Sequence, residues 1–515
     1  MNEFIKAHQE QVIGSLEGWD RLIFRGSLRQ ISYIEGLMSY LWRRQILLKN
    51  FAAFCQGITQ AVADRCQAVA RAAGRPYQYV ASSQARKDKL VKSIIARDRI
   101  TQGLVCVLSC VEPCQSFEVH KNRETHRLEL VSAPRKCRFF YLYYLHREFG
   151  LMHVRIQSWL PLDVQVYING RSYLAQRLEK AKIAHTQVDN TFTGIADLGR
   201  AQQMLHDLTH RHWPETLWKL VRPVMGGLLK ATGVLRDLPS GYYWTIRQSE
   251  YATDVMFKDA AYLKEVYPAL CRHATERLSS PDVLRFLGQK HAGKREVTGH
   301  SQRREEGVRV KHCVGSNSVK MYDKARTVLR VETTINDAGM FEVYRRAQGD
   351  EESELRWRKM RKAVADIRRR GEVGSAANGR YLEALAVVHR PAPVHQVLDP
   401  VSRRRQVEGQ KVRALRPVSP EDSAVFAAVL RGEHLIRGFT NRQIQQALYD
   451  RPAAYPAESR RRSAQVSHRL RLLRRHGLIN KVGAKRLYRI TDHGHDVMSL
   501  ALALRAAESV DLLAA

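Results

Sequence analysis

Residues 391–420 combine prolines, the run Arg403-Arg404-Arg405 and few apolar side chains. A stretch of that composition reads as a linker. It divides the 515-residue chain into a large part and a smaller C-terminal module, each needing a core of its own. At this length two to four domains are expected. The polar surface of both parts is strongly basic. Lys and Arg number 85 against 51 Asp and Glu, a formal net charge of +34. Like charge in that excess repels itself in the folded state, and a polyanion that releases counterions on binding relieves it. Nucleic acid is the partner expected, DNA first and RNA second. A membrane partner is not expected, because no basic amphipathic anchor or charge-free span is evident. The opening MNEFIKAHQEQVIGSLEGWDRL lacks the apolar run of a signal peptide, so a cytoplasmic location is expected. The cysteines are then reduced thiols. Cys106, Cys110 and Cys114 cluster without the paired spacing of a zinc site. Nothing in the sequence fixes the oligomeric state.

The expected class is α+β and multidomain, with a helical N-terminal region, a mixed α/β core and a C-terminal helical module. Residues 1–75 read as helical, with Ile31, Ile34, Leu37, Tyr40 and Leu41 recurring at three and four. Within them Trp19, Arg21, Arg25 and Arg29 read either as a basic groove edge or as ordinary helix surface. Residues 76–200 read as an α+β domain: CRFFYLYYLH and LMHVRIQSW form a strand pair, and DVQVYINGRSYLAQRLEKAKI a strand, a turn at Asn169-Gly170 and a helix. Residues 201–345 continue the core with helices and then three short strands in VRVKHCVGSNSVKMYDKARTVLRVETTIND. Residues 346–390 read as charged helices.

Residues 421–500 carry the most regular pattern. Helices are expected over EDSAVFAAVLRGEHLI and NRQIQQALY, the latter capped by Thr440. A third helix sets Val466, Leu470 and Leu473 on one face and crowds Arg460, Arg461, Arg462, Arg469, Arg471, Arg474 and Arg475 around the rest. A hairpin with Lys485 and Arg486 at its basic tip and a helix through VMSLALAL follow. This order, with the phrase LRRHGLINKV before YRIT, resembles the winged helix-turn-helix modules of bacterial transcription regulators. The resemblance implies a basic helix docked in the major groove and a wing on the backbone, the arginines mostly holding phosphates. A solvated basic face is the plain alternative.

In the core, SVKMYDKARTVLRVETT places Lys320 and Tyr322 on one strand face and Arg330, Glu332 and Thr334 on one face of the returning strand. The candidate catalytic set is therefore Tyr322 as nucleophile, with Asp323, Lys324, Arg330 and Glu332 around a phosphate. Candidate ligands for Mg²⁺ or Mn²⁺ are Asp323 and Glu332, joined by Glu250 and Asp254 if those two lie at i and i+4 on a helix. The phrase resembles rolling-circle and filamentous-phage replication initiators, which implies a DNA-nicking endonuclease of a mobile or replicating element acting through a phosphotyrosine. The His-hydrophobic-His metal strand of those proteins is missing; His210-Arg211-His212 is the nearest match, and Tyr242, Tyr243, Tyr251 and Tyr344 compete as nucleophiles. A turn with a same-face ion pair explains the hairpin equally well. Aromatic and basic side chains interleave at Phe139, Tyr141, Tyr143, His153, Arg155 and Trp159, which suits either single-strand stacking, with Arg155 on the backbone, or core packing. The chain also resembles a group of uncharacterised bacterial proteins with this core phrase upstream of a winged helix, which implies no activity. A non-enzymatic transcription regulator or a structural RNA- or DNA-binding protein is the alternative function.

Overall fold

The computed structural model describes residues 2–507 other than 82–84, 233, 235–237, 239–240, 290–292, 294, 305–306, 348, 351, 389–393, 408, 450 and 483–485, and, of side chains, also excludes 230, 231, 304 and 435–437. It is mixed α and β with a large sheet. The chain divides into two compact units. The first comprises Met1–Ser15, Asp254–Val331 and Ala376–Ala515, and the second Leu16–Thr253 and Glu332–Ser375.

In the second unit the sheet is built on β1 (Val12–Ser27), β2 (Tyr77–Tyr79), β3 (Gly103–Lys121), β4 (Leu128–His146), β5 (Gly150–Gln157) and β6 (Val164–Asn169), a separate hairpin of β7 (His185–Val188) and β8 (Thr191–Ile195), and β9 (Tyr243–Phe257). The sheet order is β9-β1-β6-β5-β4-β3-β2. Both faces of its middle strands are buried, which explains apolar runs such as CRFFYLYYL in place of clean alternation. Helix Phe51–Ala72 turns Cys55, Ile58, Val62 and Cys66 inward, and Trp213–Ala231 adds Trp213, Leu217, Val221 and Met225 to the same core. Asn169 ends β6 and caps the helix Gly170–Lys180, its side chain accepting from the Arg171 and Ser172 amides.

Residues 12–27 are a strand where the sequence suggested helix. The β-branched and aromatic residues of VIGSLEGWDRLIF pair with β6, Leu22 opposite Ile168 and Phe24 opposite Val166, and that tertiary pairing outweighs local helical periodicity. Residues 248–254 are likewise strand, not helix. In the 346–390 region the expected helix begins only at Ile367; Glu342–Arg345 and Arg356–Lys359 pair as a hairpin ahead of it.

The first unit holds β10 (Val297–Arg304), β11 (Gly307–Val314), β12 (Asn317–Lys324) and the start of β13 (Val328–Ile335), neighbours in that order. The turn after β12 sets Ala325 and Arg326 at positive φ, the backbone that a two-residue hairpin turn requires. Val310, Val319, Met321, Leu329 and Val331 pack with Leu263, Val266 and Leu270 of helix Ala260–Glu276 and with Tyr381, Leu382 and Leu385. Residues 420–506 form helices Pro420–Val429, Gly432–Arg437, Asn441–Leu448 and Pro456–Arg475, strands Ile479–Lys481 and Tyr488–Ile490, and helix Asp492–Ala506. Val466, Leu470, Leu473, Phe426, Ile444 and Val497 share one core. Residues expected to be bare linker contribute to it: Val401, Val412 and Leu415 are buried there, and Arg405–Val407 pairs with Gln410–Val412.

Candidate metal centre and nucleic-acid face

Strands β13, β9 and β1 are neighbours, and each brings one carboxylate to a common point in the second unit. These are Glu332, Glu250 and Asp20, all buried, with oxygens within 4.8 Å of one another. The side-chain amide of Asn190 donates to both Asp20 oxygens at 3.0 and 3.3 Å. Gln248 Nε2 donates to Glu250 Oε1 at 3.2 Å, and Arg21 Nε stands 3.4 Å from Glu250 Oε2. Burial alone lowers the pKa of the Arg21 guanidinium, but Glu250, Tyr167, Asp20 and Glu332 together raise it above the usual value. The guanidinium therefore stays charged beside all three carboxylates. Three carboxylates this close repel one another when ionised. An all-oxygen donor set suits a hard cation such as Mg²⁺ or Mn²⁺ and not a thiolate- or imidazole-seeking metal.

Of the residues singled out from the sequence, Glu250 and Glu332 come together, and Asp20 joins them. Asp254 sits four residues beyond Glu250 on a strand, roughly 13 Å along it at about 3.3 Å per residue; on a helix the two would have been one turn apart. Its carboxylate is held instead by Arg330, with Nε to Oδ1 at 2.5 Å and Nη2 to Oδ2 at 2.9 Å, both side chains fully buried. That pairing, in the first unit, engages the guanidinium expected to face a phosphate. Tyr322, Asp323 and Lys324 also lie in the first unit, on β12, with Tyr322 opposite Arg309 of β11 and the Lys324 ammonium 5.8 Å from the Tyr322 ring centre. Tyr242 is buried and Tyr251 half-buried, and loss of solvent raises both phenol pKa values. His210 and His212 lie in the connection between helices Leu198–Thr209 and Trp213–Ala231, not on a strand.

The aromatic stripe of β4 is core. Phe139, Tyr141, Tyr143 and Trp159 are each less than a tenth exposed, so they cannot stack bases. Tyr141 instead joins a network around Glu112. Its hydroxyl lies 2.7 and 2.8 Å from the two carboxylate oxygens, Arg155 Nη2 donates at 2.6 Å and Lys87 Nζ at 3.2 Å. Burial by itself would raise the Glu112 pKa, but hydrogen bonds from Cys110, Arg155 and Tyr141 hold it at about 2. Arg155 is thus anchored in the sheet, with Arg25 of β1, Gln165 of β6 and Tyr141 of β4 opposite it in one row.

In the first unit a groove of about 1040 Å³ is lined by Thr440, Asn441, Arg442, Gln445, Tyr449, Ser459, Arg462, Ser463, Ser467, Lys481, Arg486 and Tyr488. Helix Asn441–Leu448 enters it through a capping box of Thr440 and Gln443. The long basic helix presents Ser459, Ser463 and Ser467, one per turn, to the groove. Arg462 lines it but is tied to Glu458 at 2.6 Å and to the Arg451 carbonyl. Arg460, Arg461, Arg469, Arg471, Arg474 and Arg475 are not among the lining residues, and Arg475 is bonded to Gln410. Lys485 lies outside the described residues. Arg442 and Lys481 are groove cations that a count of arginines on one helix overlooks. Asp20 was hidden by the same kind of local reading: a charged pair, Asp20-Arg21, inside an apolar strand run is the signal that marks it. Among the described residues no helix is long and apolar enough to cross a membrane. The chain matches no protein-family model, no curated protein and no solved structure.

Proposed function

We propose that this is a DNA-binding protein of a mobile or replicating element that cuts one strand at a divalent cation held by Asp20, Glu250 and Glu332. The observation that carries the reading is the gathering of three buried carboxylate oxygens within 4.8 Å, beside a charged and partly exposed guanidinium. A cation held there supplies positive charge to a phosphate undergoing displacement. Asn190 and Gln248 orient their carboxylates, and Arg21, at the rim, offers a fork for a non-bridging phosphate oxygen.

Residues 420–506 act in this reading as a winged helix-turn-helix that locates the site. Supporting it are the order of elements and the groove lined by the serine stripe, Lys481 and Arg486, which is rich in hydrogen-bond donors. The excess of positive charge along the chain adds non-specific attraction to DNA. The triad favours water as the attacking group. A phosphotyrosine at Tyr322, as the replication-initiator resemblance implies, is the variant of the scheme that leaves a covalent adduct.

The test combines Mn²⁺ titration of the full chain, followed by the free-ion magnetic resonance signal, with incubation on labelled single-stranded and supercoiled DNA. Saturable Mn²⁺ binding and nicks are expected, and both should be lost in Asp20→Asn and Glu332→Gln. An adduct that disappears in Tyr322→Phe would assign the tyrosine route. Duplex binding with neither Mn²⁺ uptake nor nicks would leave the non-enzymatic regulator or structural nucleic-acid-binding protein in its place.

A further inference from the structure

Three strands of the second unit, β1, β5 and β9, place guanidiniums around Gln165 of β6 in the sheet that shares β1 with the triad. Arg25 and Arg155 both stand opposite Gln165 in register. Arg247 of β9 reaches the same residue. With its amide oriented to satisfy both neighbours, the Gln165 oxygen accepts from Arg247 Nη1 at 2.5 Å and from Arg155 Nη1 at 3.1 Å. Three guanidiniums thus crowd one neutral side chain. Arg155 is spoken for by Glu112, while Arg25 donates to Asp163 from Nε at 2.8 Å and also from Nη2, and keeps nearly half of its side chain exposed. Arg247 is exposed as well. Partial burial first, and then the charges of Arg155 and Arg25, lower its pKa.

Glu112 and Asp163 offset two of these three charges, and the excess left at an exposed point costs stability that the shared amide does not return. A polyanion reverses the sign. Guanidiniums match phosphate oxygens in pairs, and the exposed Arg247, fixed on the Gln165 amide, beside the half-exposed Arg25, oriented by Asp163, forms a preorganised seat for such a group. The seat also has a direction. Arg21 and Arg25 are four residues apart on β1, about 13 Å at 3.3 Å per residue, and Arg21 touches Glu250 of the triad.

We infer that Arg25 and Arg247, braced by Arg155 and Gln165, are a phosphodiester-binding position that holds a single DNA strand a short distance from the phosphate at the Asp20–Glu250–Glu332 centre. The inference rests on the nuclease reading for the role of the strand, but the seat itself is tested without cleavage. Aromatic stacking has no part in it, since the nearby rings are buried; the strand is held by its backbone, with little preference for base.

The experiment measures binding of the full chain to a fluorescent single-stranded oligodeoxynucleotide, and to the RNA of the same sequence, over a salt series without divalent metal. For single strands log K falls with log salt at about 0.7 per phosphate contact. Arg25→Gln with Arg247→Gln should lower that slope on DNA by about 1.4 and weaken binding about 25-fold at 0.1 M salt. Arg247→Gln alone should lower the slope by about 0.7, which guards against a fold defect from loss of the Asp163 ion pair. Arg247→Lys, which keeps the charge, should restore most of the slope. An unchanged slope in Arg247→Gln and in the double variant overturns the seat, as does a change seen on RNA but not on DNA. Asp20→Asn separates the two readings: its loss of Mn²⁺ binding with normal slope is expected. Normal Mn²⁺ binding by Asp20→Asn together with the arginine effects would remove the metal centre and leave the seat standing.

Discussion

Replacing Glu112 by Gln should destabilise strands β3 to β5 in a way that depends on pH with a known sign. Glu112 has an ordinary carboxyl value of 4.5 and is held at about 2. At about 1.36 kcal/mol per pKa unit, that shift is worth on the order of 3 kcal/mol at pH 7. The side chain is about a tenth exposed, so solvent screening removes little of it. Because the folded value is depressed, the contribution is complete above about pH 4.5 and is lost as pH falls from there toward 2. Linkage leaves on the order of 1.4 kcal/mol at pH 3. The gap between wild type and Glu112→Gln should therefore narrow by more than half between pH 7 and pH 3. Hydrogen exchange with mass spectrometry, on peptides covering 103–121, 128–146 and 150–157, reads this strand by strand, and the difference between proteins cancels the carboxylates common to both. A gap of equal size at both pH values would show that packing and not charge is lost. No gap at pH 7 would refute the network as a stabilising element. The same variant releases Arg155, so loosened binding to single-stranded DNA should accompany the lost protection.

Two other outcomes follow from the geometry. Asp254→Asn strips a fully buried guanidinium of its bidentate partner and should cost about 3–5 kcal/mol in the first unit, measured by urea unfolding of the full chain; a loss under about 1 kcal/mol would mean that Arg330 finds another partner. For duplex DNA, Arg442→Gln and Lys481→Gln should each lower the salt slope by about 0.9 while Arg460→Gln leaves it unchanged, and the reverse pattern would put the duplex on the opposite face of the long helix.

The parts of this fold legible in the sequence are those whose partners are near in the chain. The turn and helix at Asn169-Gly170 and the three strands around Tyr322 depend on turn chemistry and short-range pairing, and the structure has them close to where the sequence suggested. Strand β1 was not legible because its partner β6 comes well over a hundred residues later, and Ile31 to Leu41 downstream have true helical spacing that spreads by eye to the residues before them. The 391–420 stretch misled for a related reason: Val394 and Val418 are exposed as a linker's would be, but Val401, Val412 and Leu415 are buried against helices that follow them. Composition reports how many residues are apolar, not whether each has a place to go.

The candidate site divides along the same line. The sequence suggests Glu250 and Glu332 as ligands of one metal, but completes the set with their neighbours in the chain, Asp254 and Asp323, in place of Asp20. A β-strand makes near neighbours poor partners. Residues four apart on a strand are separated by about 13 Å, and the side chain that meets Glu250 comes from the adjacent strand. Lateral neighbours in a sheet of this order are set by topology, so β13, β9 and β1 assemble a cluster from three distant segments. A motif search limited to one hairpin finds at most one of the three. What does remain readable is the chemical anomaly itself: Asp20 beside Arg21 in an apolar strand, Glu250 between Ser249 and Tyr251, and Glu332 among Val331 and Thr333. Each is a charge placed where a central strand should be neutral, and buried charge persists in a fold only when something of opposite sign meets it.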